Sequence, residues 1–135
     1  MRHFWYGTLL DPDVRGAVLG AAAARLRPRP ATLEGYLRIR APGGSYPLLV
    51  PAAERQATVQ GLLVQGITPA MERRLVRYEG HQYAIVEGPV HVAELGVVSA
   101  RFFVARRPPV SRAPWDLADW QRRHKARFMR ALLAG

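Results

Sequence analysis

The chain contains no cysteine. Disulfide staples, thiolate nucleophiles and cysteine-ligated zinc are therefore excluded at the outset. The absence fits a reducing compartment, and a cytoplasmic location is the expectation. Lysine is almost as scarce. Lys125 is the only one, so nearly all of the positive charge behind the formal net +10 is arginine, dispersed from Arg2 to Arg130. No apolar run approaches the roughly 18 residues that a membrane-spanning helix needs, so no membrane partner is expected. Ala17–Ala24 comes nearest to a signal-peptide core, but Asp11 and Asp13 stand where a basic leader belongs, and Phe4–Tyr6 reads as a folded strand. There is no low-complexity tract and no internal repeat.

What remains is a chain of ordinary globular make-up. At 135 residues and 49% hydrophobic content it reads as a single domain over residues 1–135, large enough to bury a working core. The densest basic cluster is Arg122, Arg123, Lys125, Arg127 and Arg130, near the end of the chain. Dispersed arginines in an alanine-rich sequence read as a solvated surface, so no specific nucleic-acid partner is expected. Monomer and homodimer both remain open.

Residues 3–6 read as a first strand. Asp11-Pro12-Asp13 opens a helix, with Asp11 as N-cap and Pro12 at the first helical position, where a missing N–H costs nothing. That helix stops near Gly20. Leu33, Leu37 and Ile39 alternate with Glu34, Tyr36, Arg38 and Arg40, which predicts one strand from Thr32 to Arg40. A glycine-rich loop over Ala41–Ser45 leads to Tyr46–Pro51, extended by virtue of its prolines. Residues 57–65 form another strand, with Gly61 marking a bulge or a close backbone approach. Thr68-Pro69 caps a helix reaching Tyr78, and residues 83–93 and 97–105 pair as a hairpin joined near Glu94–Gly96. Beyond a stiff connector of Pro108, Pro109 and Pro114, one last helix is expected over Trp115–Leu133, with Leu117, Trp120, His124, Phe128 and Leu132 on its apolar face. The class is α+β: a mixed sheet with several antiparallel pairs and three helices, curled or closed into a small barrel.

Two strings carry the chemistry. Phe4-Trp5-Tyr6-Gly7-Thr8-Leu9 reads as a strand running into a tight glycine turn just before a helix. With a positive φ at Gly7, the following N–H groups would face inward as an anion-binding nest, backed by the helix dipole. A plain strand-to-helix turn that needs glycine is the alternative. It is not a P-loop, because the lysine and the second glycine are absent. The second string, Tyr78-Glu79-Gly80-His81-Gln82-Tyr83, sets one carboxylate at a helix C-terminus between aromatic rings. The macrodipole and the flanking rings both disfavour the anion, raising its pKa toward the range useful to a general base. The alternative is a solvated Glu79 paired with Arg73, Arg74 or Arg77.

Other candidates are weaker. His3, His81, His91 and His124 never fall at metal-ligand spacing, so no metal site is expected. His81 adjoins Glu79 and is placed to tune it; His124 reads as a core histidine. Ser45, Ser99 and Ser111 lack a nucleophile-elbow context.

Taken in this order, with Tyr46-Pro47 between them, the two strings resemble the γ-glutamylcyclotransferase-like family, which includes the AIG2-like proteins. The resemblance covers roughly residues 3–105. It implies a small, mostly antiparallel barrel with helices packed outside. In that family a Tyr-Gly-Ser/Thr-Leu loop holds the γ-glutamyl group, which places Tyr6, Gly7, Thr8 and Leu9 in substrate binding. A glutamate in a Glu-Gly-x-x-Tyr string is the acid/base, which assigns Glu79, with Gly80 and Tyr83 completing the motif. Tyr46-Pro47 matches a Tyr-Pro that members tend to carry, adding Tyr46 and Tyr83 to the binding residues. Two positions depart: Val76, where many members have aspartate, and Ile85, where many have arginine.

The implied activity is an intramolecular aminolysis of a small γ-glutamyl substrate that yields 5-oxoproline and an amine, with no metal, nucleotide or other cofactor. The leaving group stays open between an amino acid, a peptide such as glutathione, a polyamine and an ε-lysyl isopeptide. Two other readings stay open as well: a non-catalytic member that binds a small acidic metabolite, and a basic interaction module with a vestigial pocket.

Overall fold

In the computed structural model, which describes residues 1–54 and 56–135, the short strand β1 (His3–Trp5) is buried on both faces. Successive side chains of a strand point opposite ways, and that alternation divides the core. Phe4 and Tyr6 enter a cluster with Leu33, Leu63, Val90 and Phe102, while Trp5 enters a second with Val14, Leu19, Leu75 and Trp120. The first cluster is built from strands. The second joins the sheet to the helices.

β1, β2 (Arg29–Glu34), β5 (Thr58–Val64), β6 (Tyr83–Val92) and β7 (Gly96–Ala105) close into a barrel in the order β1-β5-β2-β6-β7. Neighbours run antiparallel except at the seam, where β1 meets β7 in parallel through His3↔Arg101. β3 (Tyr36–Arg40) and β4 (Pro47–Pro51) form a separate antiparallel pair. The α+β barrel expected from the sequence is present, and closure removes the open edges that a sheet of this size would expose.

The single strand expected over Thr32–Arg40 is two strands. Gly35, at φ +83°, turns the chain out of the barrel between β2 and β3. The period of two runs unbroken through the turn, yet Leu33 packs in the first cluster while Leu37 and Ile39 pack in the second. At Gly61 the expectation of a close approach holds: a Cβ there would collide with the Trp5 carbonyl and the Phe4 ring. The β2–β5 register runs through Ala31↔Gly61 without a bulge.

Helix α1 (Pro12–Leu19) starts as the sequence indicates, with Asp11 Oδ1 accepting from the N–H groups of Asp13 at 2.8 Å and Val14 at 3.3 Å. A 3₁₀ segment, Gly20–Arg25, follows it. α2 (Pro69–Glu79) is capped by Thr68, whose hydroxyl accepts from Met71 N–H at 3.1 Å. The expected last helix is broken at His124 into α3 (Leu117–Arg123) and α4 (Lys125–Ala134). The apolar spacing continues across the break, so periodicity does not register it. His124 is half-buried at that corner, beside Arg127 at 3.2 Å, and is no core histidine; the fully buried one is His3. Among the described residues, no helix is long and apolar enough to cross a membrane.

Candidate active site

The turn after β1, the start of β4 and the end of α2 converge on one cavity of about 130 Å³. Tyr6, Gly7, Thr8, Leu9, Tyr46, Glu79 and Tyr83 all line it. Phe4, Trp5, Pro47, Tyr78, Gln82, Phe103 and Phe128 complete the wall. His81, the histidine expected to tune Glu79, is exposed and does not line the cavity; Gln82 takes that place.

The strings interlock through their backbones. Residues Thr8–Leu10 form a 3₁₀ turn in which Leu10 N–H donates to the Gly7 carbonyl at 2.9 Å and Asp11 N–H to the Thr8 carbonyl at 3.0 Å. Among the described residues, the amides of Gly7, Thr8 and Leu9 have no acceptor. Gly7 sits at φ −121° and ψ −137°, so the positive φ expected for a nest is not found. Glycine is required for another reason: a Cβ would lie 2.7 Å from Cγ of Pro47. The Pro47 carbonyl in turn accepts from the Tyr83 hydroxyl. Tyr6 donates to the Phe103 carbonyl at 2.6 Å, and the hydroxyls of Thr8 and Tyr78 share a bond of 2.5 Å. With their protons committed to the backbone, Tyr6 and Tyr83 present rings to the cavity and lock the loop, β4 and β7 together.

Glu79 closes α2 and precedes Gly80, the C-cap, whose amide bonds back to the Val76 carbonyl at 3.1 Å. Among the described residues, no arginine pairs with it, and its carboxyl has neither an ion-pair nor a hydrogen-bond partner, although Arg73, Arg74 and Arg77 share its helix. Burial of the carboxyl pushes its pKa up to about 8. The helix C-terminus acts in the same direction. Burial, with the nearby Glu79 charge adding to it, raises the phenols of Tyr6, Tyr78 and Tyr83 as well. All three stay neutral across the working range. The cavity thus holds one group that exchanges a proton near neutral pH, set against free amide donors.

Phe103 and Phe128 carried no functional signal in the sequence. Phe103 shows only as one position in an alternating strand, and Phe128 only as one step of an apolar helix face. Phe128 reaches the cavity because α4 packs it edge-on against Tyr78, with ring centroids 6.3 Å apart, and against Trp120 at 5.2 Å. The buried His3 was also unforeseen. Its Nε2 lies 2.6 Å from Glu72, which Arg101 grips at 2.7 and 3.0 Å. That triad fastens α2 to the β1–β7 seam and so holds the helix that carries Glu79.

The comparisons with known proteins agree with this fold. The family model described as gamma-glutamyl cyclotransferase, AIG2-like, matches residues 3–122. AIG2-like protein A of Arabidopsis thaliana is 30% identical over 129 residues, spanning 93% of this chain and 75% of that protein. A solution structure from Arabidopsis thaliana superposes with a TM-score of 0.71 at 26% identity, covering 97% of this chain and 79% of that one. A solved gamma-glutamyl cyclotransferase shares the fold at a TM-score of 0.60 and 12% identity, over 79% of this chain and 67% of that one. By the family match over most of its length, the chain belongs to the γ-glutamyl cyclotransferase, AIG2-like family.

Proposed function

We propose that this protein is a γ-glutamyl cyclotransferase-type enzyme that releases 5-oxoproline and an amine from a γ-glutamyl compound, with Glu79 as general acid and base. The observation that carries the reading is the state of Glu79: half-buried, unpaired among the described residues, and lodged in an aromatic cavity beside three free amides. The substrate's α-amine is mostly protonated at neutral pH, since a free α-amino group ordinarily titrates at about 7.7–8.0. Glu79 removes one proton from that ammonium group. The freed nitrogen attacks the substrate's own γ-carbonyl carbon and forms the C–N bond of a five-membered ring. The oxygen becomes an oxyanion, which the loop amides stabilise. Collapse of this intermediate breaks the original amide C–N bond as Glu79 returns its proton to the departing nitrogen. The ring nitrogen sheds its second proton, which ends on the released amine as its ammonium form and leaves a neutral lactam and an ionised Glu79. Nucleophile and electrophile belong to one molecule, so holding it folded supplies much of the rate; effective molarities of such reactions reach ~10⁵ M or more.

The test is a panel of γ-glutamyl amino acids, glutathione, γ-glutamyl polyamines and ε-(γ-glutamyl)lysine, with release of 5-oxoproline followed by NMR. At least one compound should be turned over. Glu79→Gln, nearly isosteric, should then lose on the order of 10²–10⁴ in kcat while staying folded. Activity within about threefold of the wild type would remove Glu79 from the role, given the size of normal acid–base contributions. Tight binding of 5-oxoproline without turnover of any compound would favour a non-catalytic binding protein instead.

A further inference from the structure

We infer that Arg38 is a positioning residue for the cavity: it holds the Tyr6 carbonyl from outside, aims the Gly7 N–H at the ligand, and strengthens it as a donor. Arg38 lies on β3, and among the described residues no carboxylate pairs with its half-buried guanidinium. One nitrogen, Nη1, donates to two main-chain carbonyls, Tyr6 at 3.0 Å and Gln60 at 3.1 Å. The guanidinium also lies over the Trp115 ring, 5.5 Å from its centroid. The β1–β5 ladder ends at Trp5↔Leu62. Just past that point the two strands part, and Arg38 takes one carbonyl from each.

The consequence follows from the planarity of the peptide unit. Among the described residues no peptide bond is cis, so the Tyr6–Gly7 peptide is trans and its C=O and N–H point in opposite directions. Arg38 is outside the cavity wall, whereas Gly7 is part of it. A carbonyl drawn toward Arg38 therefore turns the Gly7 amide the other way, where none of the described residues offers it an acceptor. The cation adds a second effect. Arginine keeps its charge in proteins, and a charge-assisted bond to a carbonyl polarises the whole peptide group, making its N–H a better donor. A cavity floored with aromatic rings thus gains positive character through a peptide bond, without admitting an arginine side chain that could neutralise Glu79.

The experiment uses the ¹⁵N-labelled full chain as wild type, Arg38→Met and Arg38→Lys, each with and without 5-oxoproline; it leans on the proposed function only in that choice of ligand. In the wild type, 5-oxoproline should move the Gly7 amide proton together with those of Thr8 and Leu9. In the absence of ligand, Arg38→Met should shift the Gly7 nitrogen upfield, because the polarising bond to the preceding carbonyl is gone. It should also weaken 5-oxoproline binding about 10-fold, the usual worth of a hydrogen bond involving a charged group. Arg38→Lys, which keeps the charge but cannot stack or bridge as a plane, should recover part of both effects. A brace with no other role would alter melting temperature and, through the lost bond, the Gly7 nitrogen, but would leave 5-oxoproline affinity unchanged, and that result also overturns the inference. An unmoved Gly7 nitrogen in folded Arg38→Met or Arg38→Lys overturns the inference. So does a wild-type titration in which Thr8 and Leu9 respond and Gly7 does not. If Arg38→Met does not fold, Arg38→Lys and the wild-type titration decide alone. If 5-oxoproline moves none of the three amides, the proposed function loses its product site, and the ligand-free Gly7 shift still decides Arg38.

Discussion

The role proposed for Glu79 rests on its having no partner among the described residues, and that isolation has a thermodynamic signature. Its folded pKa of about 8 stands above the ordinary value of 4.5. Between those values the native state binds more protons than the unfolded chain, so the group's contribution to stability falls as pH rises through the window. Glutamine lacks the titration. Glu79→Gln should melt with the wild type near pH 4.5 and several degrees above it near pH 8, since each pKa unit is worth about 1.4 kcal/mol. A difference in Tm that stays constant from pH 5 to pH 8 would mean the carboxyl is not desolvated. Helix-end position and flanking aromatics made this pKa direction legible in the sequence. The absence of an arginine partner was not legible, because three arginines share the helix and only packing decides which way each points. Gly7 is a similar case. Its necessity was readable from the motif, but the reason is the Pro47 ring, contributed by a strand that no local pattern brings against the loop.

At the scale of elements, what the sequence announced best was where helices begin. Asp11-Pro12 and Thr68-Pro69 cap α1 and α2 because side-chain oxygens satisfy amides that the helix leaves unpaired. Breaks inside a continuing pattern were missed, as at Gly35 and His124, because a turn that keeps the apolar spacing leaves no trace in it. The break at His124 has a consequence for the cavity. α4 buries none of its residues completely, and its C-terminal Leu133 is 70% exposed. What holds the helix is Phe128 on Tyr78 together with the chain's only lysine: Lys125 reaches Asp11 at 2.9 Å and Asp13 at 2.7 Å, while Gln121 donates to Asp11 at 3.0 Å. Asp11 is fully buried and also caps α1 directly after the motif loop. One carboxylate therefore ties the motif loop to the helix that supplies Phe128. Lys125→Met should speed amide hydrogen exchange throughout α4 while leaving β6 and β7 protected. Unchanged protection in α4 would show that the apolar contacts hold the helix without the latch.

Over the whole molecule, the excess of positive charge is a long-range field with no single contact behind it. An anionic γ-glutamyl substrate would be drawn toward such a surface, an effect that salt screens. Raising ionic strength should lower kcat/KM and leave kcat level. Equal falls in both would place the charges in the chemistry, and no change would remove them from function. The same surface should bind nucleic acid weakly and without sequence preference, with affinity collapsing at higher salt. Assembly of the fold also creates the site, since the cavity wall draws on β1, β4, α2, β6, β7 and α4. The most direct probe of that construction is the side-chain carboxyl carbon of Glu79, followed by ¹³C NMR across pH in the intact, ligand-free protein. A midpoint near 8 is expected. A midpoint near the ordinary 4.5 would contradict the assignment, because a carboxylate that acidic does not hold the amine's proton long enough to deliver it to the leaving nitrogen.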